Sequence, residues 1–266
     1  INEGSGKAVK GGFAVGGFDM TKGTQTITPF TSLTPENYFI GHKSGIKNTT
    51  GLHNSFVGYE AGLNNKSGRK NVFLGYHAGY SNDTASYNVF IGNEAGNANN
   101  FGRYNTFLGY QAGMSNSTGT SNVLLGYRAG YSNIGGADPS GSYNVFLGRE
   151  SGYTNSTGAY NTFLGYQAGY KNNANYNTFL GFQSGYWNTN SGFTGNEGSY
   201  NTFIGYAAGH ANQKGYNNVY LGYAAGYGSG ASGYNNVSIG NFAGYSVTSG
   251  RENVLLGNSS GYSITT

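Results

Sequence analysis

A 17-residue unit is written thirteen times along this chain, and it leaves few folds open. Each copy reads Asn-(Val/Thr)-Phe-(Leu/Ile)-Gly-Tyr-x-Ala-Gly-Tyr-x-Asn, with substitutions. The copies begin at Asn37, Asn54, Asn71, Asn88, Asn105, Asn122, Asn144, Asn161, Asn177, Asn201, Asn218, Asn236 and Asn253. Eight of the twelve spacings are 17 residues and the others are 22, 16, 24 and 18. The two longer inserts, residues 134–143 and 189–200, fall between the end of one motif and the next Asn. Length change confined to one point of a repeat is what stacked coils require, with the insertions forming loops on one edge.

Position by position, the unit predicts its own backbone. Position 1 is always Asn, positions 5 and 9 are always Gly, and position 4 is always aliphatic. Positions 2 to 4 join β-branched, aromatic and aliphatic residues, the composition of a short strand. The glycines fit corners needing positive φ or close approach. Position 7 varies freely, as a solvated face would. The expected fold is all-β, a parallel β-solenoid of about thirteen coils (residues 37–266) preceded by an N-terminal cap or inter-subunit segment (residues 1–36). Stacking at ~4.8 Å per coil gives a rod of roughly 60 Å. Register would place each first-position Asn above the last, forming an amide ladder, and the Asn at position 12 of the first ten units (Asn48 to Asn212) would form a second.

Composition agrees and excludes other classes. Of 266 residues, 49 are Gly, 36 Asn and 25 Tyr, with no Cys and only 9% charged. Gly has no three-residue period, so collagen is excluded. No apolar run approaches the ~18 residues of a membrane-spanning helix, and disulfides and thiol metal sites are impossible. The net charge of +4 comes from scattered residues with no basic cluster, so no nucleic-acid partner is expected. Abundant Gly, Asn, Ser and Thr without Cys suits an extracellular or cell-surface protein. A start at Ile1 suggests a processed product or part of a longer chain.

Alternation sends positions 2 and 4 to one side of the strand and position 3 to the other. With positions 2, 4 and 8 assigned to the thin interior, a column of Phe39, Phe56, Phe73, Phe90, Phe107, Phe146, Phe163, Phe179 and Phe203 faces outward. Such a stripe exceeds the apolar patch a soluble monomer tolerates, so it is expected to be an oligomer interface.

The Asn-x-Phe-Leu-Gly-x-x-Ala-Gly unit resembles the β-roll head repeats of trimeric autotransporter adhesins, and similar repeats of bacterial and phage tail-fibre-like surface proteins. The segment Gly12-Phe13-Ala14-Val15-Gly16 is similar to the adhesin-head pattern and suggests a degenerate coil near residues 11–20. The adhesin-head repeat is shorter, with one more residue between Asn and Gly. The resemblance implies a homotrimer of parallel β-solenoids that serves in attachment to a host or surface glycan or protein receptor, without membrane insertion by this segment.

No catalytic constellation is legible. His42, His53, His77 and His210 are isolated substitutions in the repeat, and the ten acids are scattered. No catalytic, cofactor or metal site is expected. The Gly-rich stretch 226–230 lacks the Lys-Ser/Thr of a phosphate loop and reads as a turn. Five of the seven Asn-x-Ser/Thr sequons fall at position 12, where a turn role for the Asn is the simpler reading. Tyrosines at positions 6 and 10 read as packing rows before sugar platforms. Trp187, the single Trp, adjoins the longest insert; together with Phe193 inside that insert it is the best candidate partner contact.

A self-polymerising head-to-tail filament is the first alternative to an adhesin fibre. An ice-binding solenoid is the second. It needs an outward Thr array, which the assignment of position 2 to the core argues against.

Overall fold

The computed structural model describes residues 13–18, 27–189, 196–228 and 233–264. Among the described residues there is no helix. All fifteen strands belong to one sheet in sequential order. Strands β1 (Phe13–Phe18) and β2 (Ile27–Leu33) pair antiparallel, and β2 runs antiparallel to β3 (Asn37–Ile40). The segment around Phe13 is therefore half of a hairpin rather than a further coil. From β3 the chain turns into a parallel solenoid. Thirteen strands, β3 and β4 (Asn54–Val57) through β14 (Val237–Ile239) and β15 (Val254–Leu256), pair in strict register and bound twelve turns.

Register is one repeat per coil. Phe56 pairs with Phe39 and with Phe73, and Leu164 with Leu147 and Leu180. Both inserts leave the coil after a position-12 Asn and rejoin it before the next strand. Asn133 Nδ2 donates to the Gly141 carbonyl, and Asn188 Nδ2 to that of Gly198, so the coil closes across each loop.

The Phe column is inside. Phe56, Phe73, Phe90, Phe107, Phe146, Phe163, Phe179 and Phe203 are wholly buried within the single chain, and Phe39 nearly so. This overturns the assignment of these nine residues to an oligomer interface. The expected alternation holds, but with the opposite sense: positions 1 and 3 point inward, positions 2 and 4 outward. Asn at position 1 explains why. Its amide must reach backbone groups in the interior, and position 3 shares its side of the strand.

The interior is one ring thick. Successive Phe rings lie 4.6–4.9 Å apart and within 13° of parallel. That separation is the ~4.8 Å spacing of neighbouring strands, so the backbone register itself sets the ring stack. Alanines at position 8, among them Ala61, Ala78, Ala95 and Ala112, complete the apolar core. The column is interrupted by Leu124 and Ser238, and Tyr220 continues it. Each buried Phe contributes about 1.5–3 kcal/mol relative to exposure.

Two amide ladders line the remaining interior. The backbone N–H of every first-position Asn after Asn37 donates to the Oδ1 of the Asn one coil earlier, at 2.9–3.1 Å, through all twelve links. In the second ladder, each position-12 Nδ2 donates to the preceding Oδ1 and to a carbonyl closing its own turn, as Asn65 does with Asn48 at 2.7 Å and Gly68 at 3.0 Å. These bonds meet the requirement that buried polar groups be paired.

The corners use left-handed backbone. Glycines at position 5 have φ between +113° and +142°, a region essentially reserved for Gly. Position 7 and the residue before each later Asn also have positive φ, and there the residues are not Gly: 25 side-chain-bearing residues sit between +49° and +63°. Position 7 is thus free in residue type but tightly held in backbone.

Candidate functional site

The solenoid presents two long surfaces. The first is the outer face of the sheet, made by positions 2 and 4. Leu74, Leu108, Leu164 and Leu180 are exposed at 38–45% in the single chain, flanked by Val72, Thr106, Thr162 and Thr178. Every coil places an aliphatic residue on this face at position 4.

The second surface is built by the turns. Tyrosines at position 10 form a continuous column: Tyr131, Tyr153, Tyr170, Tyr186, His210, Tyr227, Tyr245 and Tyr262 stack at 4.8–5.1 Å. Position 6 gives a parallel column, including Tyr166, Phe182, Tyr206 and Tyr223. Because the rings face one another, a continuous row offers edges and hydroxyls to solvent. The flat faces a sugar would stack on are already covered, except where a row breaks. Burial first, and the Glu150 charge second, hold the Tyr170 and Tyr186 phenols above their ordinary range.

Between the columns runs position 7. Its side chains bond to one another along the rod: Lys43 and His77 both meet Glu60, Gln111 joins Glu94 to Arg128, and Gln167 joins Glu150 to Gln183. The channel then empties. Position 7 becomes Ala207 and Ala224, leaving a groove of about 260 Å³ walled by Tyr206, Tyr223, Tyr227 and Tyr245. Phe242 sets its ring edge-on to Tyr223 and Tyr245 at one end of the groove, and Gln183 lines it too.

Trp187 stands on the other side of the same Tyr column, at position 11. Its neighbour one coil earlier is Lys171, whose ammonium sits 3.7 Å above the centre of the indole. Its neighbour one coil later is only Ala211. A cavity of about 340 Å³ opens there, lined by Trp187, His210, Ala211, Gln213 and Tyr227. His210 stacks between Tyr186 and Tyr227, and burial pushes its pKa below the ordinary 6.5, so the imidazole is neutral at pH 7. Phe193 lies outside the described residues.

The histidines are not brought together. His42 stacks on Tyr59, His77 bonds to Glu60, His210 is in the Tyr column, and His53 is exposed at a left-handed corner. Among the described residues no group of three or more His, Asp or Glu could hold a metal ion, and no helix is long and apolar enough to cross a membrane. The position-12 sequon residues Asn65, Asn82, Asn116 and Asn155 are wholly buried in the second ladder, so they cannot carry glycans in the folded rod. The cavity beside Trp187 had one sequence signal, a unique aromatic followed in the next coil by a small residue at the same position. The groove over Ala207 and Ala224 had a similar one, two alanines where other coils carry long polar chains.

No protein-family model, curated protein or solved structure matches the chain.

Proposed function

We propose that the chain is a non-enzymatic segment of an extracellular fibre or adhesin, associated as a homotrimer and used for attachment to surfaces. The observation that carries this reading is the outer sheet face, aliphatic at position 4 in all thirteen coils. A strip ~60 Å long and ~10 Å wide amounts to roughly 600 Å² per chain. That is at the upper limit for an exposed patch on a monomer, and close to the ~800 Å² each partner contributes to a stable interface. A straight face of constant register can be covered along its whole length by copies of itself.

Light scattering across a concentration series tests this reading. A constant mass of three chains supports it. A constant mass of one chain overturns it, and a mass that grows with concentration replaces the trimer with a filament.

The outward turn of position 2 favours a second reading. Thr106, Thr162 and Thr178 are exposed on this face, and Thr202 is partly so. This removes the objection that Thr faces the core in an ice-binding array. Bulky aliphatic side chains alongside, at position 4, remain a poor match to a hydroxyl lattice. Faceting of ice crystals by the protein would favour this reading over attachment.

A further inference from the structure

We infer that the cavity beside Trp187 is a saccharide site, in which a single pyranose ring lies with its apolar C–H face on the indole. This deepens the attachment reading and rests on it.

Three observations converge. The first is the state of the indole. Lys171 occupies one side at 3.7 Å, while the cavity is bordered by the following coil and not by Lys171, so it opens on the other side. Position 11 shrinks there from Trp187 to Ala211, which breaks the coverage that closes most aromatic faces on this surface. The ammonium also draws on the ring's π density, which disfavours a second cation.

The second is the polar lining. His210, Gln213 and Tyr227 supply an imidazole, an amide and a phenol. Each can donate and accept hydrogen bonds, the lining contains no carboxylate, Lys or Arg, and burial holds the His210 pKa below its ordinary value, which favours the neutral ring. A mixed, uncharged set beside an open aromatic face matches a neutral polyhydroxylated ring rather than a carboxylate, phosphate or ammonium.

The third is size. At about 340 Å³ the cavity lies at the lower end of the ~300–1,000 Å³ range of ligand pockets, which suits one sugar ring, with a glycan chain running on along the rod. The edge-on tyrosine columns offer no comparable platform.

Trp187 is the single Trp, so its emission reports on this site alone. The test is a fluorescence titration of the intact chain with methyl β-galactoside and methyl β-glucoside, with sorbitol as the open-chain control. The expected result is a saturable change with one of the pyranosides at a Kd on the order of 1–10 mM, and none with sorbitol. Ala211→Leu fills the cavity at a position that is small in most coils but carries a longer side chain at Lys47, Asn64 and Lys171, and keeps the reporter. It is expected to weaken the response at least about tenfold while leaving the thermal midpoint unchanged. Wild-type emission that is unmoved by both pyranosides, or that changes equally with sorbitol, overturns the site. So does a saturable response that survives in Ala211→Leu. Failure of the attachment reading shows separately, as a single-chain mass in light scattering, whatever the titration gives.

Discussion

The ring of Phe107 abuts Gly113: a Cβ built on that glycine would stand 2.5 Å from the ring. The same pairing links position 3 to position 9 along the column, including Phe56 with Gly62 and Phe73 with Gly79. Phe107→Ala should destabilise by about 3–5 kcal/mol through the cavity it leaves. Gly113→Ala should also destabilise by several kcal/mol, from overpacking plus the left-handed φ of +57°. The double variant should lose about 1–3 kcal/mol less than the sum, because the new methyl occupies space the ring has left. Denaturant unfolding of the four proteins measures this, and simple additivity would contradict the packing described.

Asn105 accepts the N–H of Asn122 and donates to the Gly119 carbonyl. Asn105→Ala leaves the buried Asn122 N–H without its partner, at about 1–3 kcal/mol, while the Gly119 carbonyl still accepts from Asn116 Nδ2. Amide exchange at Asn122 should accelerate with the loss of stability. An unchanged exchange rate would mean that the ladder bond contributes nothing.

Ser121 holds φ near +56° in the corner before Asn122. Ser121→Gly should stabilise by a few tenths to about 1 kcal/mol, because Gly adopts this backbone without strain, and Ser121→Val should destabilise by about 1 kcal/mol or more. Equal stability of the two variants would show that the corner is not strained.

His210 is held below its ordinary pKa of 6.5 by burial within the Tyr column. The unfolded chain therefore takes up this proton first, and stability contributed by the neutral ring is lost as pH falls below about 6.5. His210→Tyr restores the ring usual in this column and removes the titration. The difference in thermal midpoint between variant and parent should widen in acid. A difference independent of pH from 7.5 to 4.5 would refute the assignment.

Leu108 and Leu164 point outward from the sheet. Leu108→Lys with Leu164→Lys should leave the thermal midpoint of the isolated chain nearly unchanged, within the ±0.5 kcal/mol of surface changes, while splitting a trimer in light scattering. Retention of the trimer mass would move the interface to another face.

Much of the fold is legible in the repeat. Its period sets the coil, the glycines at positions 5 and 9 mark the corners, and the Asn at positions 1 and 12 foretell both ladders. The side of the strand that faces inward is not legible from hydrophobicity, because Phe107 and Leu108 are both apolar and alternation is symmetric between them. Two residues could have broken the tie. Asn105 needs a buried backbone partner and shares a side with Phe107, and Gly113 is invariant because a ring rests on it. The variety at position 7 conceals a left-handed corner, the backbone from which Glu94, Gln111 and Arg128 bond to one another. Trp187 was conspicuous in the sequence, but the space beside it depends on Ala211, which only the register brings next to it.

The two amide ladders share a direction. In both, the donor belongs to the later coil and the acceptor to the earlier one, from Asn54 on Asn37 to Asn253 on Asn236 and from Asn65 on Asn48 to Asn212 on Asn188. Main-chain bonds between coils run both ways, as Val72 donates forward to Asn88 and Gly75 backward to Val57, and so offset one another in part. The side-chain amides do not cancel. Their aligned dipoles give the rod an electrical axis, positive toward β3 and negative toward β15, much as peptide dipoles do in a helix. At the positive end the hydroxyl of Thr34 accepts the Asn37 N–H, as a helix cap would. Two such rods laid side by side would lower their energy by running antiparallel, so a bundle in which all chains point the same way must owe its orientation to packing contacts strong enough to overcome this repulsion.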